Sequence, residues 1–304
     1  MKDDTIRSPF FYVGDKYKLM PQLKKLFPDN IDKYIEPFVG GGSSFLNSSG
    51  NKYILNDIDK NVISLHKELG KYADKPEQLL DELYKIIDSY NLSCSYRGIN
   101  VSKEIKKKYV KTYYSKYNKE AYLNMRADYN KNKNNTLLLY LLLIYGFNHM
   151  IRFNSKGDFN LPVGNVDFNK NVYNALMNYL DFRKNNEIVF ENCDYKNFFK
   201  KFDIDKNDYV FLDPPYLISM SEYNKLWNEN KEIELCNFLD ELNANGVNFG
   251  ITNLIYHKGK ENKTFNQWSK KYNVYDIDSN YISFNDNTIK KDSKEVFVTN
   301  YGKK

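Results

Sequence analysis

The sequence predicts an α/β protein in which a mostly parallel sheet is interrupted by a helical insertion. Short apolar runs predict strands at residues 33–38, 52–55, 187–191, 209–212, 248–252 and 294–299. Helical patterns separate several of these runs, and strands joined by crossover helices form parallel sheets. Residues 66–185 instead show successive helical patterns, broken by a segment rich in turn residues at 146–164. We therefore predict a discontinuous α/β domain, residues 1–65 and 186–304, with an inserted, mainly helical domain that has a hairpin or loop near 146–168.

The composition indicates a folded protein. Of 304 residues, 41% are hydrophobic and 16% aromatic, which excludes a disordered chain, and the net charge of +6 suits a polyanionic partner without requiring one. The longest apolar run, residues 137–147, is too short to span a bilayer and predicts a buried helix. The start, MKDDTIRSPF, has no apolar signal region, and the three cysteines and three histidines are scattered. We expect a cytoplasmic protein with no membrane segment and no metal.

A glycine-rich turn follows the first predicted strand. Residues 36–42 (EPFVGGG) lie between this strand and a helix predicted from Ser43. Glycines let the backbone turn sharply and approach a ligand, and cofactors bind at the carboxyl edge of parallel sheets. The spacing is neither the GxGxxG of a dinucleotide site nor the phosphate loop that GK[ST] would complete. A tight strand–helix connection without a ligand is the alternative for this turn taken alone.

Two carboxylates end the second predicted strand. Residues 56–59 read NDID, which places Asp57 and Asp59 at the carboxyl edge of the sheet, one strand after the glycine turn. A carboxylate there can accept two hydrogen bonds from a ribose diol, and the side chain of Ile58 can pack on an adenine ring. A helix cap or a turn is the alternative role for either aspartate.

A third motif combines an acid, two prolines and an aromatic ring. Asp213, Pro214, Pro215 and Tyr216 follow the apolar run 209–212. Prolines stiffen the chain and remove backbone donors, so the motif is a rigid group of acceptors beside a ring. This arrangement suits an exocyclic amine bound by the Asp213 carboxylate and the Pro214 carbonyl, with Tyr216 stacked on the base. The alternative is a strand ended by proline next to an exposed aromatic residue.

Five segments occur in an order that is typical of one family. They are PFFYVGDKYKL (9–19), YIEPFVGGGSSFLN (34–47), NDID (56–59), RFNSKGDFNLPVG (152–164) and DPPY (213–216). The chain thereby resembles the Dam-like DNA adenine N6-methyltransferases of the alpha group, in which the glycine motif precedes the recognition domain and DPPY follows it. The resemblance covers nearly the whole chain. It implies a Rossmann-like methyltransferase sheet, S-adenosylmethionine as cofactor and double-stranded DNA as partner.

The resemblance implies a role for residues on the methionine side of the cofactor. The ring of Tyr12 would pack on the methionine part, and the Lys16 ammonium would lie near the methionine carboxylate. Phe38, Gly40 and Gly42 would line the same side.

Other matching positions would bind the rest of the cofactor and the target base. Asp57 would bind the ribose hydroxyls, and Asp194 would face the cofactor adenine, although a helix cap is an equal alternative for Asp194. Asp213 would lie between the cofactor and an adenine flipped out of the duplex, with Pro214, Pro215 and Tyr216 completing the catalytic motif.

DNA recognition is expected in residues 146–164, which match a hairpin that enters the major groove in the family. Arg152 is suited to bidentate bonding to guanine, and a phosphate contact is its alternative. The other candidate DNA contacts in this segment are Asn148, Met150, Asn154 and Pro162. The resemblance implies GATC or a related short site as the target. Phe11 stands where the family pattern has a lysine that reads the outer guanine, which argues against a strict GATC specificity.

Two alternative functions remain open at this point. One is methylation of another planar amine, in RNA adenine, in DNA cytosine N4 or in a glutamine amide. The other is a DNA-binding protein with a vestigial cofactor fold, which would have no need for Tyr12, Lys16, Gly40, Asp57 and Asp213 together. The enzyme would act beside a separate cognate restriction endonuclease, or as an orphan or phage methyltransferase.

Overall fold

A computed structural model describes residues 4–219, 227–279 and 292–302. Within them one eight-stranded sheet has the order β3-β2-β1-β4-β5-β8-β7, with β6 paired to β5. The strands are β1 (Ile31–Glu36), β2 (Gly50–Asn56), β3 (Glu187–Glu191), β4 (Tyr209–Leu212), β5 (Asn248–His257), β6 (Lys260–Glu261), β7 (Asn273–Ile277) and β8 (Ser293–Thr299). The five strands from β3 to β5 are parallel, while β8 is antiparallel to both β5 and β7. The predicted α/β fold is confirmed.

The strand order reverses between β1 and β4. The chain runs outward from β1 to β2 and β3, then returns to place β4 on the other side of β1. Crossover connections leave in opposite directions at such a point, which opens a crevice outside the carboxyl ends of the two strands, and ligands bind there. The glycine turn follows β1 and the DPPY motif follows β4, so this topology brings the two motifs to one crevice.

All six predicted strands are present, but one predicted helix was wrong and one edge strand was missed. The helix predicted from Ser43 is only a 3-10 turn, Phe45–Asn47, because β2 begins at Gly50 and leaves no room for more. The edge strand Asn273–Ile277 was not predicted. Most of its residues are solvent-exposed and only Ile277 is buried, so it lacks the apolar run that marks the inner strands.

Helices cover both faces of the sheet. They are α1 (Met20–Leu23), α2 (Lys60–Gly70), α3 (Pro76–Ser89), α4 (Lys103–Lys108), α5 (Tyr113–Lys131), α6 (Thr136–Tyr145), α7 (Lys170–Asn185), α8 (Tyr195–Phe199), α9 (Glu229–Ala244) and α10 (Lys263–Ser269). From Leu137 to Tyr145 every residue of α6 is buried, which confirms the predicted buried helix. None of the helices in the described ranges has the length and apolarity needed to cross a membrane.

Successive residues of the inner strands point to opposite faces of the sheet and into two cores. Tyr34 and Phe211 contribute to one core, together with apolar side chains of α2, α3, α5, α6 and α7. Ile35 and Val210 contribute to the other core, with side chains of α8, α9 and α10. The helices of residues 66–185 thus pack in a continuous core with one face of the sheet. Their status as a separate domain stays a prediction.

Candidate active site and nucleic-acid interface

A cavity of about 550 Å³ opens at the carboxyl edge of β1, β2, β3 and β4. It brings together segments that are distant in sequence: the N-terminal segment, the glycine turn, NDID and DPPY. The predicted cofactor and catalytic residues all line it, namely Tyr12, Lys16, Phe38, Gly40, Gly42, Asp57, Ile58, Asp194, Asp213, Pro214, Pro215 and Tyr216. None of the five candidate DNA contacts lines it.

The glycine turn is held against the end of β2. The Gly40 amide donates to Asp57 Oδ2 at 2.9 Å, and the Asp59 amide donates to Asp57 Oδ1, also at 2.9 Å. Gly40 has φ +47° and Gly42 has φ +83°, both in the left-handed region that favours glycine. A Cβ on Gly42 would also collide with the ring of Phe45. Two of the glycines in the motif are therefore required by the backbone itself.

Asp57 is half-buried and lines the cavity. Burial raises the pKa of its carboxyl to about 6, although its hydrogen bonds from backbone amides favour the charged form. Each oxygen accepts one amide in the structure and keeps a second lone pair for a ligand donor. The neighbouring Ile58 side chain is 62% exposed and presents an apolar surface on the same wall. A carboxylate beside an apolar surface is the arrangement that a nucleoside needs.

Three groups orient the carboxylate of Asp213. Lys16 Nζ lies 2.7 Å from Oδ2. The Thr252 hydroxyl, from β5, donates to Oδ1 at 2.7 Å, and the Tyr216 hydroxyl lies 3.1 Å from the same atom. Asp213 is thus fixed at the end of β4 and not left to rotate in solvent. The structure places the Lys16 ammonium on this carboxylate, at the DPPY end of the cavity.

Glu295, on β8, is a site residue that the sequence patterns did not indicate. It is buried, and its Oε1 lies 2.7 Å from the Tyr216 hydroxyl and 4.0 Å from Lys16 Nζ. Burial alone would lower the pKa of Lys16, but the carboxylates of Asp213 and Glu295 outweigh it and raise that pKa. Lys16 is therefore charged at neutral pH. The available signal was an acidic residue at the start of the apolar run in β8.

Buried acceptors also line the wall between the N-terminal segment and β1. Oε2 of Glu36 and Oδ2 of Asp15 are buried and have no hydrogen-bond partner within the described residues. Burial raises the pKa of Glu36 well above its usual value, and although Ser44 donates to it, the carboxylates of Asp213 and Asp57 raise it further. Burial likewise raises the pKa of Asp15. Such atoms are stabilised when a ligand supplies the missing polar partner.

His66, on α2, supports the glycine turn from behind and was also not predicted. Its Nε2 is 2.9 Å from the Gly40 carbonyl, and its Nδ1 is 2.9 Å from the Tyr179 hydroxyl of α7. A carbonyl can only accept, so Nε2 carries the proton and Nδ1 accepts from Tyr179. Burial lowers the pKa of His66 to about 3, so the ring is neutral at physiological pH. The turn therefore has a second support besides Asp57.

Asp194 is a helix cap, and its contact with the cofactor adenine stays a prediction. Its side chain accepts from the Lys196 amide at 3.0 Å and so caps α8, while the residue also lines the cavity. The helix cap fixes the side chain at the carboxyl edge of β3, on the far side of the cavity from Asp213.

The segment 146–164 forms an antiparallel loop with bridges between Phe153 and Phe159 and between Gly146 and Val163. Arg152 is exposed on this loop, and its guanidinium donates to the side chain and to the carbonyl of Asn160, both at 2.9 Å. These bonds hold the guanidinium against its own hairpin. Its remaining N–H groups are the ones that can contact a base or a phosphate.

The other candidate DNA contacts lie in different environments. Asn154 Oδ1 accepts from two backbone amides at 2.9 Å and closes the tip of the hairpin, which is a structural role. Met150 is half-buried and packs against the core, whereas Pro162 is exposed. Asn148 is exposed, with φ +54°. Of this set, only Met150 is not exposed, while Asn148, Arg152, Asn154 and Pro162 are all exposed.

Comparison with known proteins agrees with this geometry. Residues 12–282 match the family of D12 class N6 adenine-specific DNA methyltransferases. The chain is 34% identical to the modification methylase StsI of Streptococcus sanguinis and 35% identical to the type II methyltransferase M.FokI of Planomicrobium okeanokoites, in each case over 97% of the chain but only 43% of the relative. It is 30% identical to the DNA adenine methylase of Haemophilus influenzae, over 74% of the chain and 69% of that enzyme. The resemblance noted in the sequence is confirmed: the chain belongs to the D12 class of N6 adenine-specific DNA methyltransferases.

Proposed function

We propose that this chain transfers the methyl group of S-adenosylmethionine to N6 of an adenine flipped out of duplex DNA. The observation that carries the proposal is the position of Asp213. Its carboxylate is fixed by Lys16 and Thr252 in the same cavity as the glycine turn and Asp57. The chain spans 43% of the length of StsI and M.FokI, so activity and partners are proposed here for this chain by itself.

The cavity fits the proposed cofactor. A volume of about 550 Å³ is within the range of small-molecule sites, and the lining combines apolar surface with a few polar groups. Asp57 would accept the ribose hydroxyls, and the acidic residues Glu36 and Asp15, which line the cavity, would lie near the amino group of the methionine part. When bound, S-adenosylmethionine would supply a methyl group on a positively charged sulfur.

Asp213 and Pro214 would act on the target amine. The lone pair of the adenine amino group is delocalised into the ring, so the nitrogen is a poor nucleophile. Hydrogen bonds from N6 to the Asp213 carboxylate and the Pro214 carbonyl would favour tetrahedral geometry at the nitrogen and aim its lone pair at the methyl group. Positioning and fixed electrostatics of this kind supply the largest part of many rate enhancements.

Tyr216 would stabilise the flipped base. Extruding a base costs a few kcal/mol, which stacking on an aromatic ring offsets. The Tyr216 ring lines the cavity and is held by its hydroxyl on Glu295 and by Lys16 Nζ, which lies 4.9 Å from the ring centroid. A ring held at two points loses little further entropy when a base stacks on it.

A methyl-transfer assay tests this function. The protein would be incubated with labelled S-adenosylmethionine and adenine-containing duplex DNA, and the products digested to nucleosides. We expect the label on N6-methyladenine. Label only on RNA, on protein or on cytosine would overturn the proposal.

Variants at two aspartates sharpen the assay. Asp213→Ala should lower the transfer rate by about 100-fold or more, because one fixed transition-state contact is worth that much, while DNA binding by fluorescence anisotropy stays intact. Asp32→Ala is the matched control, because Asp32 is an exposed residue of β1 that does not line the cavity. Full transfer activity in Asp213→Ala would refute the role of this carboxylate.

The hairpin would read the DNA sequence. Arg152→Ala should relax sequence discrimination, by about 1–3 kcal/mol if the guanidinium contacts a guanine, as measured by sequencing modified bases in DNA from expressing cells. Lys156→Ala, which replaces an exposed residue on the same hairpin, is the control. An unchanged specificity profile in Arg152→Ala would reject the base-reading role. Because the relatives include a modification methylase and a type II methyltransferase, we propose a cognate restriction endonuclease as a separate partner.

A further inference from the structure

Three aromatic rings form a cluster in the lining of the cavity. The ring centroids of Phe38 and Tyr195 are 5.5 Å apart, and the centroid of Trp227 lies 5.9 Å from that of Phe38 and 6.4 Å from that of Tyr195. All three residues line the cavity. Phe38 follows β1, Tyr195 begins α8 directly after Asp194, and Trp227 precedes α9, so the cluster joins three segments that are distant in sequence.

Trp227 is anchored from outside the cavity by a buried acid. Glu232, in the first turn of α9, is 1% exposed, and its Oε2 accepts the indole N–H of Trp227 at 2.6 Å. Its Oε1 accepts the side-chain amides of Asn253 and Asn262 at 2.7 and 2.8 Å. Every one of these partners is a donor, so the carboxylate is matched to its surroundings and orients the indole.

The orientation leaves the carbon surface of the indole for a ligand. An indole has one polar atom, and here that atom is bonded to Glu232. What Trp227, Phe38 and Tyr195 offer to the cavity is therefore apolar aromatic surface, on which a planar heterocycle stacks well. Asp57, a carboxylate suited to a ribose diol, also lines the cavity.

We propose that Trp227, positioned by Glu232, forms one wall of the subsite that binds the nucleobase of the methyl donor. This inference rests on the proposed function, because it assumes that the cavity binds S-adenosylmethionine. Trp227 would contact the cofactor directly. Glu232 would act only through Trp227, as a positioning residue.

Glutamine at position 232 has nearly the shape of glutamate but the wrong hydrogen-bonding pattern. It presents an NH₂ group where the three partners present only donors. If the NH₂ faced Asn253 and Asn262, two hydrogen bonds would be lost, because these amides can turn over only by giving up the bonds that their oxygens accept from the Leu254 and Phe265 amides. The glutamine therefore keeps its oxygen on the two asparagines and turns its NH₂ to the indole N–H, which cannot become an acceptor. Glu232→Gln should therefore release Trp227 without removing volume.

Fluorescence tests the contact directly, because the chain has two tryptophans. Trp268 is buried, donates to Asp240 and does not line the cavity, so Trp268→Phe leaves Trp227 as the reporter. Titrating this variant with S-adenosylhomocysteine should change the Trp227 emission, and methionine alone, which carries no base, should not. In Trp227→Phe, where Trp268 is the reporter, S-adenosylhomocysteine should leave the emission unchanged.

Affinities measured by calorimetry complete the test. Trp227→Ala should weaken S-adenosylhomocysteine binding by about 5- to 150-fold, the value of one base–aromatic stack, and Trp227→Phe should restore most of it. Glu232→Gln should weaken binding in the same direction and raise the KM for the cofactor with little change in kcat. Circular dichroism would verify that each variant is folded.

The outcomes separate this inference from the proposed function. If the wild-type protein binds no S-adenosylhomocysteine, the proposed function fails and the inference fails with it. If the wild type binds it while Trp227→Ala keeps full affinity and Trp227 emission does not respond, the inference alone is overturned. Normal cofactor KM in Glu232→Gln, with Trp227→Ala impaired, would refute the positioning role of Glu232.

Discussion

Replacing His66 by glutamine tests the buried support of the glycine turn. The neutral imidazole donates to the Gly40 carbonyl and accepts from the Tyr179 hydroxyl, and Arg183 donates to both the Tyr179 hydroxyl and the His66 carbonyl. A glutamine amide is shorter and does not reach both partners with good geometry. We expect His66→Gln to lower the free energy of unfolding at pH 7.5 by about 1–3 kcal/mol, the cost of one buried polar group left unpaired.

The pH dependence of the free energy of unfolding gives a second quantitative prediction. Burial lowers the folded-state pKa of His66 from 6.5 to about 3. Between these values the unfolded state binds a proton that the folded state does not, so stability falls as the pH drops below 6.5. At pH 5 this linkage lowers the free energy of unfolding of the wild type by about 2 kcal/mol relative to pH 7.5. The decrease continues until the pH nears 3, where the folded state also binds the proton. His66→Gln has no such group, so its deficit should shrink by about 2 kcal/mol at pH 5.

Urea unfolding at pH 7.5 and at pH 5, followed by circular dichroism, measures both quantities. His257→Gln is the matched control, because His257 is only partly buried and lies on β5, away from the glycine turn. Burial lowers the pKa of His257 as well, but less than that of His66, so the stability difference between this control and the wild type should change less between the two pH values. If His66→Gln loses the same free energy of unfolding at both pH values, the buried neutral imidazole is refuted. If His66→Gln is as stable as the wild type at pH 7.5, the support that His66 gives to Gly40 is refuted.

Two further predictions concern the cofactor wall. Because burial raises the pKa of Asp57 to about 6, the wild-type affinity for S-adenosylhomocysteine should fall as the pH drops through 6 and the carboxylate gains a proton. Asp57→Asn should bind weakly at every pH, and an unchanged pH profile by calorimetry would exclude Asp57 from the site. Gly42→Ala should destabilise the protein more than Gly40→Ala, for which about 1–2 kcal/mol is expected from positive φ alone. An added Cβ at Gly42 meets the Phe45 ring, whereas at Gly40 it meets open space, and equal midpoints of thermal unfolding would contradict this difference.

Local sequence determined the motifs and the strands that carry them. A buried parallel strand is a short apolar run, and residues at its carboxyl end necessarily reach the sheet edge. For this reason the sequence alone assigns Asp57, Asp213 and the glycines near Gly40 to one edge of the sheet. The left-handed backbone at Gly40 and Gly42 is likewise a local property that the residue type indicates.

Tertiary structure decided which side chains support these motifs. His66 bonds to a carbonyl 26 positions earlier in the chain, and Glu295 bonds to Tyr216 across 79 positions. Neither spacing corresponds to a helical or strand period, so the pattern of residues along the chain does not predict these contacts. In the hairpin, tertiary structure adds that Asn154 closes the turn and that Met150 packs against the core, while their contacts with DNA stay predictions.

The reason is that a motif lies within one segment of the chain, whereas the hydrogen-bond partners of its side chains depend on which strands are neighbours in the sheet. Only when β4 lies beside β1, and β8 beside β5, do Asp213, Lys16 and Glu295 meet. The sequence by itself determined the methyltransferase family and the edge of the sheet where its chemistry occurs. The fold decided how the buried charges there are paired, because pairing depends on distances between elements that no single segment contains.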